Sequence, residues 1–232
     1  MAGRKPQWQC KRRIPQAVNF MPMSRVDRIF NCLNYRLFPP LCRLCGEAGL
    51  PLIDLCGACQ AEFPCTPTVL SLDYGSIWAG FSYAEPVAGL IQRFKFQDDL
   101  GAGRLLARLA IDSFSDSEPQ ALIPVPLHAS RLRSRGYNQA LELAAYWGKC
   151  RGIPVGPSLL IRTRSTHAQS SLPASARTAN VDGAFKANAR IPEHVALIDD
   201  VMTTGATTTE AIKALLAGGA RRVDVWCLAR VL

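Results

Sequence analysis

The sequence predicts an α/β protein with a mostly parallel, twisted sheet flanked by helices and a small cysteine-rich module near its N-terminus. From residue 76 onwards, short apolar segments of strand length alternate with amphipathic segments of helix length, which is the pattern of βαβ units. Before them, four cysteines form two CxxC pairs. We therefore divide the chain into a tail over residues 1–38, a zinc-ribbon-like module over 39–66 and an α/β domain over 67–232.

The composition indicates a globular protein, because 48% of the residues are hydrophobic and 19% are charged. The apolar runs are broken by Arg, Asp or Pro and fall short of the roughly 20 residues of a transmembrane helix. The basic N-terminus is not followed by the apolar stretch of a secretory signal. We expect a cytoplasmic protein with no membrane span.

Most of the net charge of +9 lies at the N-terminus, since residues 1–25 contain six Lys or Arg and no acid. Three prolines and the lack of apolar periodicity predict that this basic tail is disordered. It is interpretable as an arm for nucleic acid or a membrane surface. The interpretation that we favour is a solvated extension, or an upstream start with Met21 or Met23 as the initiator.

The four patterned cysteines predict a zinc site. Cys42 and Cys45 are followed, after ten residues, by Cys56 and Cys59. Two CxxC pairs bring four thiolates to one point, as tetrahedral zinc requires, whereas disulfides are disfavoured in a reducing compartment. Cys65 is an alternative ligand. Cys227 lies in a β-like run and is interpreted as a buried structural thiol.

The α/β domain is predicted element by element from its periodicity. In chain order we expect a strand over 76–84, a helix burying Val87, Leu90, Ile91 and Phe94, a helix over 100–114, a strand in ALIPVPLH (121–128), a basic loop over 129–139, a helix through Leu141, Ala144 and Ala145, a strand in LLIRTRS (159–165) and a last strand in RRVDVWCLA (221–229).

The stretch VALIDDVMTTGATTTEA, residues 195–211, is the most informative part of the chain. Its continuous apolar run, 195–198, is typical of a parallel strand buried on both faces. Asp199 and Asp200 therefore emerge at the carboxyl end of the strand, where α/β folds form their crevice. Thr207 and Glu210 have the spacing of a capping box, which predicts that a helix begins there and ends at Gly218-Gly219.

The loop between the acids and this helix is a candidate phosphate site. A helix N-terminus attracts phosphate, and Gly205 lets the backbone approach it. Two carboxylates repel a bare anion, so the ligand should also present hydroxyls or a divalent cation, as a sugar phosphate does. The candidate binding residues are Asp199, Asp200, Thr203, Thr204, Gly205, Ala206 and Thr207.

This order of residues resembles the motif that binds phosphoribosyl pyrophosphate (PRPP) in type I phosphoribosyltransferases. The resemblance implies that Asp199 and Asp200 hold the ribose 2′- and 3′-hydroxyls, that 203–207 bind the 5′-phosphate, and that magnesium accompanies PRPP. A Walker nucleotide site is disfavoured, since the sequence contains no GxxxxGK[ST].

Over residues 40–232 the chain resembles the ComF family of phosphoribosyltransferase-like proteins, associated with competence. The similar segments are the cysteine module, YAEPVAGLIQRFKF, IPVPLHASRLRSRGYNQALELA and RTRSTHAQSSLPASARTANVDGAF. The resemblance implies a pyrophosphate-facing loop with His128, Arg131, Arg133 and Arg135, and a mobile hood loop over 166–180 with Arg177. Lys95 is a weaker candidate, interpreted as a lysine at the surface of an amphipathic helix.

Two hypotheses of function remain open. In the first, the protein is an enzyme that transfers phosphoribose to an unknown acceptor, in DNA uptake or nucleotide metabolism. In the second, it is a non-catalytic protein that senses PRPP or handles single-stranded DNA, with Tyr137 or Trp78 as stacking candidates. A transcriptional regulator is disfavoured, because no helix-turn-helix pattern is apparent.

Overall fold

The computed structural model describes residues 40–50, 53–64, 66–114, 118–164 and 182–231. The basic tail, Cys65 and the hood loop with Arg177 lie outside the described residues.

The described elements form an α/β fold. In chain order they are α1 (Gly57–Glu62), β1 (Thr68–Leu72), β2 (Gly75–Ser82), α2 (Val87–Phe96), α3 (Leu100–Ala110) with a 3-10 turn (Ile111–Ser113), β3 (Ala121–Pro124), α4 (Ala129–Arg135), α5 (Gln139–Arg151), β4 (Leu160–Arg162), β5 (Phe185–Ala187), β6 (His194–Met202), α6 (Ala206–Ala217) and β7 (Arg222–Arg230).

The main sheet has the order β1-β2-β7-β6-β3. Strands β2, β7, β6 and β3 are parallel, and β1 is antiparallel to β2 at one edge. Strands β4 and β5 form a separate antiparallel pair. The predicted class, an α/β fold with a mostly parallel sheet and an N-terminal four-cysteine module, is confirmed. The edge strand β1 and strand β5 were not predicted.

Strand β6 is buried on both faces of the sheet, as its apolar run predicts. Val195 and Leu197 pack into one core with α6, whereas Ala196 and Ile198 pack into the other core with α2, α3 and α5. All four side chains are fully buried. Because the helices cover both faces, the crevice of the fold is left at the ends of the parallel strands.

The segment predicted as a basic loop over 129–139 contains helix α4 instead. The His128 side chain caps the first turn by accepting a hydrogen bond from the backbone N–H of Ser130 (3.3 Å). Gly136, with a φ of 75°, ends the helix in the left-handed conformation. The prediction of a loop was wrong because three arginines and no apolar periodicity concealed this short helix.

The predicted capping box at Thr207 and Glu210 is also wrong. Helix α6 begins at Ala206, its N-cap is Gly205 with a φ of 76°, and no side chain caps it. The Glu210 carboxylate accepts instead from the backbone N–H of Gly183 (3.2 Å) and from Lys213 (2.6 Å). The N-cap of α6 is therefore a glycine, which makes no side-chain capping hydrogen bond. The predicted end of the helix, at Gly218-Gly219, is confirmed.

The cysteine module shares the core of the α/β domain. Leu55 and Phe63 are buried, and the Phe63 ring meets the Phe81 ring of β2 edge to face at 5.6 Å. Cys227 is fully buried in β7, as predicted. Within the described ranges, no helix combines the length and the apolar character needed to cross a membrane.

Candidate functional site

A crevice of about 580 Å³ opens where β3 and β6 end. Its walls combine acidic, basic and hydroxyl side chains from separate parts of the chain. They are Tyr83, Lys95, Phe96, Val125, Leu127, Arg131, Arg135, Asn138, Gln139, Ala140, Arg162, Asp199, Asp200, Val201, Thr203 and Thr207. The fold therefore brings the two acids, two of the predicted arginines and two of the predicted threonines to one place.

Backbone N–H groups near the end of β6 hold the two carboxylates in place. The Asp199 carboxylate accepts from the backbone N–H of Asp200 (2.9 Å), and the Asp200 carboxylate accepts from the backbone N–H of Val201 (2.6 Å). Asp200 is 8% exposed, and its Oδ1 lies 2.9 Å from the Nζ atom of Lys95. The ammonium group compensates the negative charge of Asp200.

Burial, followed by the neighbouring charge of Asp200, raises the pKa of Asp199 to about 7. Lys95, the backbone N–H of Asp200 and Arg162 act in the opposite direction. Asp199 is therefore poised between its neutral and charged forms near neutral pH. A ligand that donates hydroxyl hydrogens to this carboxylate would favour the charged form.

The loop after the acids leads into the uncapped N-terminus of α6. Thr203 and Thr207 line the crevice, and Gly205 turns the chain with its left-handed backbone. Thr204 is exposed, and it is not among the described residues that line the crevice. Ala206 is buried and is the first residue of α6. The helix dipole and its N-terminal N–H groups make this end of the crevice favourable for an anion.

Four cationic side chains line the same crevice as the two acids: Lys95, Arg131, Arg135 and Arg162. Burial, and then the nearby Arg131, lower the pKa of Arg162 to about 10, so that it stays protonated at neutral pH. Burial and Arg135 also lower the pKa of Arg131. Four cations against two acids give the crevice an excess of positive charge, which suits a ligand with several phosphates.

Sequence reasoning missed Arg162 and gave Lys95 too little weight. Arg162 is the last residue of β4, and its guanidinium lies over the Phe185 ring at 5.2 Å. The predicted strand over 159–165 contains Arg162 in its middle, and its sequence did not show that the observed strand ends there. No periodicity could have shown that Lys95 points towards Asp200 rather than to water.

The other residues assigned to the pyrophosphate-facing loop have different positions. His128 caps α4 and is not among the described side chains that line the crevice, whereas Arg131 and Arg135 are. Arg133 is exposed. Arg177 lies outside the described residues.

The four patterned cysteines meet as predicted. The Sγ atoms of Cys42, Cys45, Cys56 and Cys59 all lie within 4.8 Å of one another, and those of Cys45 and Cys56 are 3.6 Å apart. Thiolates around a tetrahedral zinc ion at about 2.3 Å would be separated by roughly 3.8 Å, so the cluster can hold such a metal. Burial opposes ionisation of Cys42, but backbone N–H groups, foremost those of Cys45 and Cys56, hold its pKa at about 6.

A network of ion pairs joins the cysteine module to helix α2. Arg43, inside the first CxxC pair, donates to Asp54 (2.8 Å) and Asp99 (2.6 Å). Arg93 of α2 donates to Asp99 (2.6 Å) and to the Arg43 carbonyl (2.7 Å). Asp99 also caps α3 by accepting from the Ala102 N–H. The end of α2 that carries Lys95 is therefore braced against the cysteine module.

The fold and the site define an α/β protein that combines a cationic crevice around an acid pair with a four-thiol module. The chain is 35% identical over 202 residues to Competence protein F of Haemophilus influenzae, covering 82% of this chain and 85% of that protein. It is 30% identical over 200 residues to the DNA utilization protein YhgH of Escherichia coli K12, covering 82% and 85% respectively. The chain belongs to the ComF family of Competence protein F.

A more distant relative is the Competence protein ComFC of Streptococcus pneumoniae, which is 28% identical over 151 residues, 65% of this chain and 66% of that protein. No family model matches the sequence. Among solved structures, the glutamine PRPP amidotransferase of B. subtilis aligns with 54% of this chain and 24% of its own, with a TM-score of 0.35 and 21% identity. A purine phosphoribosyltransferase from Pyrococcus horikoshii aligns with 54% and 70%, with a TM-score of 0.33 and 17% identity.

Proposed function

We propose that the crevice binds PRPP. The observation that carries this proposal is that the acid pair and the uncapped N-terminus of α6 open into one crevice, faced by four cations. Asp199 and Asp200 accept hydrogen bonds from the ribose hydroxyls. The backbone N–H groups and hydroxyls of 203–207 bind the 5′-phosphate.

The cationic side chains bind the pyrophosphate end of the ligand. PRPP carries a pyrophosphate on C1 of the ribose, at the opposite side of the sugar from the 5′-phosphate. Arg131, Arg135, Arg162 and Lys95 supply the charge that a pyrophosphate needs, and arginine can contact two phosphate oxygens at once. Magnesium accompanies the pyrophosphate when PRPP is bound and neutralises part of its charge.

A calorimetric titration of the wild type with PRPP and magnesium tests the proposal. Asp200→Asn keeps the size of the side chain but removes its charge, so PRPP affinity should fall about ten- to a hundredfold, as expected when a charge-assisted hydrogen bond is lost. Asp73→Asn, which changes an exposed acid in the turn after β1, is the matched control and should bind like the wild type. A wild type that binds no PRPP would refute the proposal.

Binding of fragments of PRPP tests the two ends of the crevice separately. Ribose 5-phosphate should be sensitive to Asp200→Asn, and inorganic pyrophosphate to Arg131→Met. If both variants weaken both probes equally, the division of the crevice into a sugar end and a pyrophosphate end is wrong.

We also propose that the protein functions in DNA utilization, since its relatives are named for competence and for DNA utilization. Two roles of PRPP fit this setting. In the first, phosphoribose is transferred: the bond from C1 to pyrophosphate breaks, a bond from C1 to the acceptor forms, and pyrophosphate leaves. In the second, PRPP is a bound signal on a protein that handles single-stranded DNA.

Pyrophosphate release distinguishes these roles. The wild type is incubated with PRPP, magnesium and a panel of nucleobases and oligonucleotides. Release that depends on one acceptor supports transfer, whereas stable binding without release supports the signal. A titration with single-stranded oligonucleotide at several salt concentrations then measures the phosphate contacts directly, because each contact steepens the salt dependence.

A further inference from the structure

A second cavity of about 500 Å³ adjoins the crevice and shares Lys95, Phe96 and Arg135 with it. The cavity is completed by Asp98, Leu100, Gly136 and Tyr137. It lies between the C-terminal end of α2 and the turn after α4. Because three residues belong to both cavities, a ligand in the second one lies beside the proposed PRPP site.

Phe96 is the unusual residue of this cavity. It is the last residue of α2 and its side chain is 68% exposed, although Phe94, two residues earlier, is buried in the core. The Arg135 guanidinium carbon lies 5.2 Å from the centre of the Phe96 ring. The cavity thus presents an open aromatic ring next to a planar cation, and both surfaces stack on flat, aromatic ligands.

The remaining groups narrow the chemistry of the ligand. Lys95 and Arg135 are cationic and Asp98 is the single acid among the described residues that line the cavity, but Lys95 is already paired with Asp200, so Arg135 is the cation that can face an anion. The Tyr137 hydroxyl already donates to the carbonyl of Phe94. Recognition in this cavity therefore depends on stacking and charge.

We propose that the second cavity is a nucleobase subsite, in which the base of a nucleotide or of a single strand stacks on the face of the Phe96 ring that Arg135 does not cover. A phosphate of the same ligand faces Arg135. The inference rests on the proposed function in that this cavity shares Lys95, Phe96 and Arg135 with the crevice proposed for PRPP. Its test uses no PRPP, so that the two proposals can fail separately.

The test is equilibrium binding of two probes without PRPP: thymidine 5′-monophosphate by calorimetry and a labelled oligothymidylate of about 12 nucleotides by fluorescence anisotropy. Phe96→Ala removes the ring, and Phe96→Leu keeps apolar bulk without an aromatic face. Val69→Ala removes an equally accessible apolar side chain from the edge strand β1, where Val69 is 52% exposed, and serves as the control. Thermal melts confirm that each variant is folded.

We expect Phe96→Ala to weaken binding of the probe about five- to a hundredfold, as is usual when one base loses its aromatic partner. Phe96→Leu should lie between the wild type and Phe96→Ala, and Val69→Ala should match the wild type. Binding of the monophosphate assigns the subsite to a free nucleotide, and binding of the oligonucleotide alone assigns it to a strand.

Three results would overturn the proposal: a wild type that binds neither probe, a Phe96→Ala variant with wild-type affinity, or an equal loss in Val69→Ala. A wild type that binds a probe through Phe96 but not PRPP would leave the subsite standing and refute the PRPP proposal instead.

Discussion

The Nζ atom of Lys95 lies 2.9 Å from Oδ1 of Asp200, which joins the end of α2 to the end of β6. Both side chains are largely buried, with 19% and 12% of their surfaces exposed. Lys95 is thus the fixed counter-ion of the acid pair. Its positive charge also opposes the rise in the pKa of Asp199.

Replacement of Lys95 by methionine should raise the pKa of Asp199 further above its present value of about 7. The variant keeps the apolar stem but removes the positive charge that favours the carboxylate. NMR titration of carboxyl carbons measures this pKa. Lys149→Met, an exposed lysine of α5, is the control and should leave it unchanged. An unaltered Asp199 titration in Lys95→Met would contradict the effect of the Lys95 charge on Asp199.

Asp199 should make the stability of the protein depend on pH. Its folded pKa of about 7 exceeds the ordinary value of 3.8, so the folded state holds its proton more tightly than the unfolded chain. The resulting stabilisation is complete below about pH 4 and is lost as the pH rises through about 7. Asp199→Asn lacks this loss and should be the more stable protein at pH 8, by on the order of a few kcal/mol.

Urea denaturation at several pH values checks this prediction. The difference in unfolding free energy between Asp199→Asn and the wild type should shift in favour of the variant from about pH 4 to about pH 8. Asp73→Asn provides the curve for an exposed acid, which should run parallel to the wild type. If the Asp199→Asn curve is parallel as well, the carboxyl does not titrate near 7.

The features of this fold that depend on neighbouring residues in the sequence could be predicted from it. The run before Asp199 predicted a central strand because both faces of a parallel sheet are covered, and the CxxC spacing predicted the thiol cluster. Features that depend on tertiary contacts were missed or misread. Glu210 has the spacing of a capping box, but its carboxylate is drawn to Gly183 by the packing of β5 against α6. The exposed ring of Phe96 had no signal in the periodicity of α2.

One equivalent of zinc per chain is expected in protein purified without chelator. The four thiols supply every ligand of a closed tetrahedral site, and such sites contribute directly to the folding of their module. Cys45→Ser should lose the metal and lower the melting temperature. Cys150→Ser, which changes a thiol of α5 outside the cluster, should retain it. Elemental analysis measures the metal, and a metal-free, fully folded wild type would disprove the assignment.

The ion pair between Arg43 and Asp99 should couple the cysteine module to the α/β domain. A double-mutant cycle with Arg43→Met and Asp99→Asn should give a coupling of about 1–3 kcal/mol in the free energy of unfolding, since the two groups are in direct contact at 2.6 Å and partly buried. The pair of Arg221 and Glu193, both highly exposed at 3.7 Å, is the control and should give less than about 1 kcal/mol. Additive effects in the first cycle would show that the pair does not couple the cysteine module to the α/β domain.

Gly205 should be required for phosphate binding beyond its role in the backbone. Its φ of 76° disfavours any side chain, and a Cβ atom there would lie 3.1 Å from the Cε atom of Met202. Gly152, at the end of α5, has a φ of 70° but open space around its Cα atom, which makes Gly152→Ala a matched control. Both alanine variants should lose about 1–2 kcal/mol of stability through their left-handed backbone.

Only Gly205→Ala should also lose affinity for PRPP, by about tenfold or more, because its methyl group would lie at the start of α6, where we propose that the 5′-phosphate meets the N–H groups. Chemical denaturation measures the shared effect on stability, and calorimetric titration with PRPP measures the separate effect on binding. Equal PRPP affinities in the two variants would place the 5′-phosphate elsewhere, since the same backbone strain would then be present in both without consequence for the ligand.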